Sequence, residues 1–173
     1  MAGGSAVGRI ARRVRLIGLL FRADLAQRPV MADLYETDIL EWSEHQAALL
    51  RQHAATRRGN DGIDWPNIIE EIESVGNEQR HQVEGLLAQA LAHMLKAAAW
   101  PLSPEVPGWQ AEARRFRSEA ADRFAPSMRQ RLDLAKLYRR AVRYLPDTID
   151  GRTPLPVPVV CPVTLDELLA DAD

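Results

Sequence analysis

Wound at 100° per residue, Glu70, Glu73, Asn77, His81 and Glu84 fall on one arc of a helix. Asn77, His81 and Glu84 stand at i, i+4 and i+7, which sets an imidazole beside a carboxylate. Such a set can ligate a divalent metal or orient a general base. Di-metal bundles repeat Glu-x-x-His on two helices, and no second such motif occurs here. A solvated polar face accounts for the same spacing, so no metal and no cofactor is assigned. Glu70, Glu73 and His81 remain candidate catalytic residues of a hydrolase. His93 is a fourth candidate, at the edge of an apolar stripe. The expectation for it is a buried, structural imidazole bonded to a carboxylate or a backbone carbonyl. Lys96, one turn on, is expected to pair with an acid or to reach the surface.

Ten bases form a second constellation: Arg114, Arg115, Arg117, Arg123, Arg129, Arg131, Lys136, Arg139, Arg140 and Arg143. Nucleic-acid phosphate is one partner for such a series. Pairing with acids of the preceding helices, or with solvent, is the simpler reading. Trp109 and Phe116 among them are read as core rather than as stacking platforms. The chain has no Gly-rich phosphate loop, no nucleophile elbow and no zincin motif.

The element that must position these groups is one long helix, Asp64 to Ala99. Asp64 is a good N-cap and Pro66 falls in the first turn, where its missing N–H costs nothing. Ile68, Ile69, Ile72, Val75, Val83, Leu86, Leu87, Ala90 and Met94 recur at helical spacing. Trp100-Pro101 stops the helix, because a residue before proline avoids the α region. At about 1.5 Å per residue it would be roughly 50 Å long. Gly76, costly in a helix interior, predicts close approach of another helix.

Before it, Asp38 with Glu41 predicts a capping box opening a helix of about 39–57. The short connection through Gly59-Asn60-Asp61-Gly62 sets that helix antiparallel to the central one. After it, Ser103-Pro104 marks a new start, with Pro107-Gly108 delaying the regular helix. Trp109, Ala113, Phe116, Ala120 and Phe124 then share a face. Ser127 is expected to cap one further helix reaching about Tyr144. Trp42 and Trp109 are expected as core against the central helix. Pro154, Pro156, Pro158 and Pro162 mark an extended arm, with Leu155, Val157, Val159 and Val160 pinned into grooves. Thr164 and Glu167 fit a capping box, and Val163 with Leu168 a hydrophobic staple, for a short last helix.

The 173 residues bound a single domain, and the lone Cys161 excludes an intrachain disulfide or a cysteine metal site. No apolar run is long enough to span a membrane. Charge is segregated: net +5 over residues 1–30, −7 over 31–104, +4 over 105–152 and −4 over 153–173. Residues 1–30 form a distinct extension. Val7, Ile10, Val14, Ile17, Phe21 and Leu25 make a stripe with arginines off it, a basic amphipathic segment suited to a membrane surface or to targeting. The other reading is a disordered or untranslated extension, with translation starting at Met31.

Leu34-Tyr35-Glu36-Thr37-Asp38, Glu41-Trp42 and Gln46 to Arg51 resemble the opening of the bacterial domain-of-unknown-function family 29, DUF29. Asp64-Trp65, Glu70 to Gly76, His93 to Lys96, Trp109, Pro126-Ser127 and Cys161 to Thr164 resemble its later features in the same order. The resemblance spans roughly residues 34–170 and implies an all-helical, soluble bacterial protein with no established catalytic residues. The family usually finishes on apolar-aromatic residues, whereas this chain ends Asp171-Ala172-Asp173. The expected architecture is all-α. It is a bundle of about five helices over residues 31–173, with a long central helix and a proline-rich C-terminal arm ending in a short helix. The expected function is a non-enzymatic protein-interaction or regulatory module in the cytoplasm, working with a protein partner or as a homo-oligomer. A nucleic-acid-associated protein using helices 109–143 and a hydrolase using the carboxylate/His face are the alternatives.

Overall fold

The computed structural model describes residues 33–56 and 62–170. Expectations for residues 1–30, for most of the 59–62 turn and for the Asp171–Asp173 finish lie outside these. A helical turn at 33–37 leads into α1, Ile39–Thr56. The central helix α2 is Trp65–Ala99, 35 residues long, opened by Asp64 and Pro66 as expected. Then follow α3, Val106–Arg123, a 3-10 turn at Pro126–Gln130, α4, Leu134–Arg143, and α5, Leu165–Leu169. The fold is an all-α bundle. Among the described residues the only bridge of strand type is an isolated pair, Ile149 with Arg152.

Helices α1, α3 and α4 all pack on α2, and α5 packs on α3. The reason is the second half of α2, where Val83, Leu87, Leu91 and Leu95 meet Leu40, Ala120, Met128, Leu137, Tyr138 and Leu168. Each fully buried large side chain in this set contributes about 1.5–3 kcal/mol. The first half of α2 is buried chiefly toward α1. There a Cβ on Gly76 would stand 2.7 Å from Leu40 Cα, so the two backbones touch where glycine was read as a contact point. Ile68 and Val75, on the predicted apolar stripe, are exposed because α3 ends at Arg123, beside Gln79.

Several local expectations need correction. The single helix from Ser127 to Tyr144 is two pieces. Asp133 accepts from Lys136 N (2.9 Å) and starts α4 anew after the 3-10 turn. Helix α3 includes Pro107 and Gly108 in its first turn rather than being delayed by them. Asp38 does bond Glu41 N (3.0 Å), but its own N–H goes to Leu34 O rather than to Glu41. Trp42 and Trp109 are only partly buried. Trp42 stacks edge-on with exposed Tyr35, at a centroid distance of 4.9 Å. The indole that is core is Trp100, 4% exposed, read earlier only as a helix stop. In the arm, Val157 packs inward while Leu155, Val159 and Val160 face solvent. The last helix is as expected, its capping box complete from Thr164 to Glu167.

Candidate functional site

The carboxylate–imidazole face of α2 is organised by Arg80, which the spacing argument left out. Its guanidinium donates to Glu84 Oε1 (3.3 Å) and to Asn77 Oδ1 (3.2 Å), and lies 3.2 Å from His81 Nε2. Glu73 is taken by Arg51 of α1. Glu70 stays exposed on the same helix. The structure thus gathers Asn77, His81 and Glu84 around a cation. No group of His, Cys, Asp or Glu suited to a metal ion occurs among the described residues.

His93 is half-buried, against Phe116 of α3 with ring centroids 5.6 Å apart. Its Nδ1 is buried without a hydrogen-bond partner, which corrects the expected bond to a carboxylate or carbonyl. Burial pushes its pKa below the ordinary value, with Lys96 and Arg115 adding in the same sense and Glu112 opposing. A neutral imidazole fits this setting, because charging it would cost desolvation.

Eight of the ten bases fall into two sets. Arg115 pairs with Glu112 and Glu119, both at 2.7 Å, Arg131 with Glu44, and Arg129 with Asp166. Arg117 donates to the backbone carbonyls of Glu167, Leu168 and Ala170, closing the open end of α5. These are structural duties. Lys136, Arg139, Arg140 and Arg143 on α4 are exposed and make no ion pair among the described residues.

A cavity of about 300 Å³ opens where the arm crosses the end of α2, with Trp100, Leu102, Ile149, Asp150, Arg152 and Leu155 among its lining. Three bonds hold the arm down, the first two between residues that line the cavity. Trp100 Nε1 donates to Arg152 O (2.8 Å), Leu155 N donates to Ala99 O (2.9 Å), and Tyr138 Oη donates to Pro158 O (2.7 Å). Burial raises the Tyr138 pKa, with Cys161 adding to it, so the phenol keeps the proton it donates. Asp150 and Gly151 turn the chain at φ +51° and +71°, the geometry of a tight two-residue hairpin. The Asp-Gly dipeptide is the sequence signal for that turn, and it was missed. The lining is mostly apolar and includes one acid, Asp150, and one base, Arg152.

The model of the family described as "Domain of unknown function DUF29" matches residues 34–172. The chain belongs to the DUF29 family. A solved structure, titled as an alpha-helical protein of unknown function from Rhodospirillum rubrum ATCC 11170, is 26% identical. It matches at a TM-score of 0.66, covering 78% of this chain and 88% of that one. No match was found among curated proteins. In this DUF29 chain several of the residues that carried the resemblance have scaffold roles. Asp38, buried, accepts from Ser127 N (2.9 Å) and Ser127 Oγ (2.7 Å), joining the start of α1 to the 3-10 turn. Gly76 admits α1, Asp64 caps α2 and Thr164 caps α5.

Proposed function

We propose that this DUF29 chain is a non-enzymatic, cytoplasmic protein-interaction module whose docking face lies around the cavity beneath the C-terminal arm. The observation that carries it is the exposure of Leu102 (83%), Leu155 (54%), Val159 (97%) and Val160 (76%). Leu102 and Leu155 line the same cavity, and the two valines follow on the same arm. Scattered exposed hydrophobes are ordinary, whereas exposed apolar side chains lining a cavity that also holds an acid and a base suit a protein interface. The occupant that fits is a protein segment with an apolar anchor and a flanking charge of either sign, able to meet Asp150 or Arg152. The lone thiol of Cys161 donates to Val163 O (3.3 Å), in keeping with a reducing compartment.

Affinity capture of the tagged chain from its own host, with Leu102→Asp and Val159→Asp beside the wild type, tests this. Both substitutions are at exposed sites and should leave the melting temperature unchanged. They should remove a partner that Glu70→Lys, on the far polar face, retains. An unchanged partner set in the two arm variants refutes the proposal. A second copy of the chain is the other occupant. Light scattering would identify it as a concentration-dependent mass that Val159→Asp abolishes.

A further inference from the structure

Helix α4 is amphipathic in an unusual way. Leu137, Tyr138 and Ala141 are buried in the bundle, while the opposite side presents Lys136, Arg139, Arg140 and Arg143 to solvent. At 100° per residue these four cations lie within about a third of the circumference. They stand i, i+3, i+4 and i+7, so Lys136–Arg140 and Arg139–Arg143 are like-charge i, i+4 pairs, which destabilise a helix. Elsewhere the same spacing carries opposite charges, as in Arg80–Glu84 and Arg115–Glu119. The helix dipole favours Arg140 and Arg143 in the last turn but disfavours Lys136 in the first. Folding therefore gives no reason for this face. Beside it, exposed Tyr144 accepts from Arg140 Nε (2.7 Å), with the guanidinium carbon 5.7 Å from the ring centroid.

We infer that the outer face of α4 binds single-stranded nucleic acid, its cations on the phosphates and Tyr144 as a stacking surface for a base. Three of the four cations are arginines, whose planar fork matches phosphate. An exposed aromatic among cations is the pairing used for unpaired bases. Stable seating on an anionic membrane draws on an apolar face beside the cations, and on α4 that side is buried in the bundle. The inference stands apart from the proposed docking face, because none of these five residues lines the cavity.

The test uses the full chain and a fluorescent 20-nucleotide oligothymidylate in anisotropy titrations from 50 to 300 mM salt. Four phosphate contacts predict a log–log salt slope of about −3. The variant with all four cations changed to Gln should fold normally, lose affinity at least about tenfold at the lowest salt and show a slope near zero. Arg114→Gln, an exposed base elsewhere, should change nothing. Tyr144→Leu should weaken oligonucleotide binding at least about fivefold and leave binding of base-free heparin unchanged. Absence of binding at 50 mM salt would overturn the inference, as would equal binding by the four-site variant. Polyglutamate, a duplex or anionic vesicles bound as tightly as the single strand would overturn it too.

Discussion

Replacing Gly76 with alanine sets two effects of opposite sign against each other. In an isolated helix the change is worth about 1 kcal/mol in favour of folding. Here the new methyl would stand 2.2 Å from Ser43 Oγ, 2.7 Å from Leu40 Cα and 3.2 Å from Ile39 O. Ser43 can rotate, giving up its bond to Leu40 O (3.0 Å). Leu40 Cα is backbone, and reaching an ordinary carbon–carbon separation requires α1 to retreat by roughly 1 Å. Leu40 is itself fully buried in the core, so the retreat loosens its packing too. Overpacking at the upper end of the usual range, about 3 kcal/mol, leaves a net loss of about 2 kcal/mol after the propensity gain. The melting temperature should fall by roughly 4–8 °C for a chain of this size. Circular-dichroism melts and urea titrations with an unchanged m-value measure it. Adding Ser43→Ala removes the hydroxyl clash but not the backbone one, so the double variant should recover less than half of the loss. A Gly76→Ala protein melting at or above the wild type would refute the close helix contact.

Asp38→Ala leaves the N–H groups of Glu41 and Ser127 and the Ser127 hydroxyl without their acceptor, and should cost about 3 kcal/mol by urea titration; Ser127→Ala should cost less, with a double-mutant coupling above about 1 kcal/mol. Trp100→Ala should cost about 3–5 kcal/mol as a buried indole, and Trp42→Ala clearly less; equal losses would contradict their different burial. For His93 the folded pKa lies below the unfolded one, so the unfolded chain binds more protons, and stability falls as the pH drops through and below about 6.5. His93→Gln should flatten that part of the stability–pH curve, and an unaltered curve would remove His93 as its source.

Much of the scaffold was legible because its signals are local. Asp64-Trp65-Pro66 and Thr164 to Glu167 specify helix starts through side chains three residues away. Gly76 announced a helix contact because nothing local compensates for a glycine there. What was not legible depends on distant partners. Asp38 looked like an ordinary cap, but two of the three hydrogen bonds its carboxylate accepts come from Ser127, 89 residues away. Trp42 sits on a stripe, yet the stripe is covered only where another helix reaches it. Trp100 lies after a helix, where periodicity says nothing, and is buried because the arm folds back over it. Asn77, His81 and Glu84 do share a face of α2, but a wheel drawn for candidate ligands omitted Arg80, the cation that engages those three.

The arm also bears on the order in which the molecule forms. Its anchors join residues far apart in the chain: Trp100 to Arg152, Leu155 to Ala99, and Arg117 to the carbonyls of 167–170. Each closes a loop of about fifty residues, an entropic cost that local helix pairing avoids. Helices α1 to α3 can therefore assemble as neighbours before the arm is seated, and on opening the arm detaches while they remain. Amide exchange should then report two tiers, with Leu155 exchanging well ahead of Leu87. Detachment uncovers Trp100, so indole fluorescence should report that partial opening before the helical signal is lost.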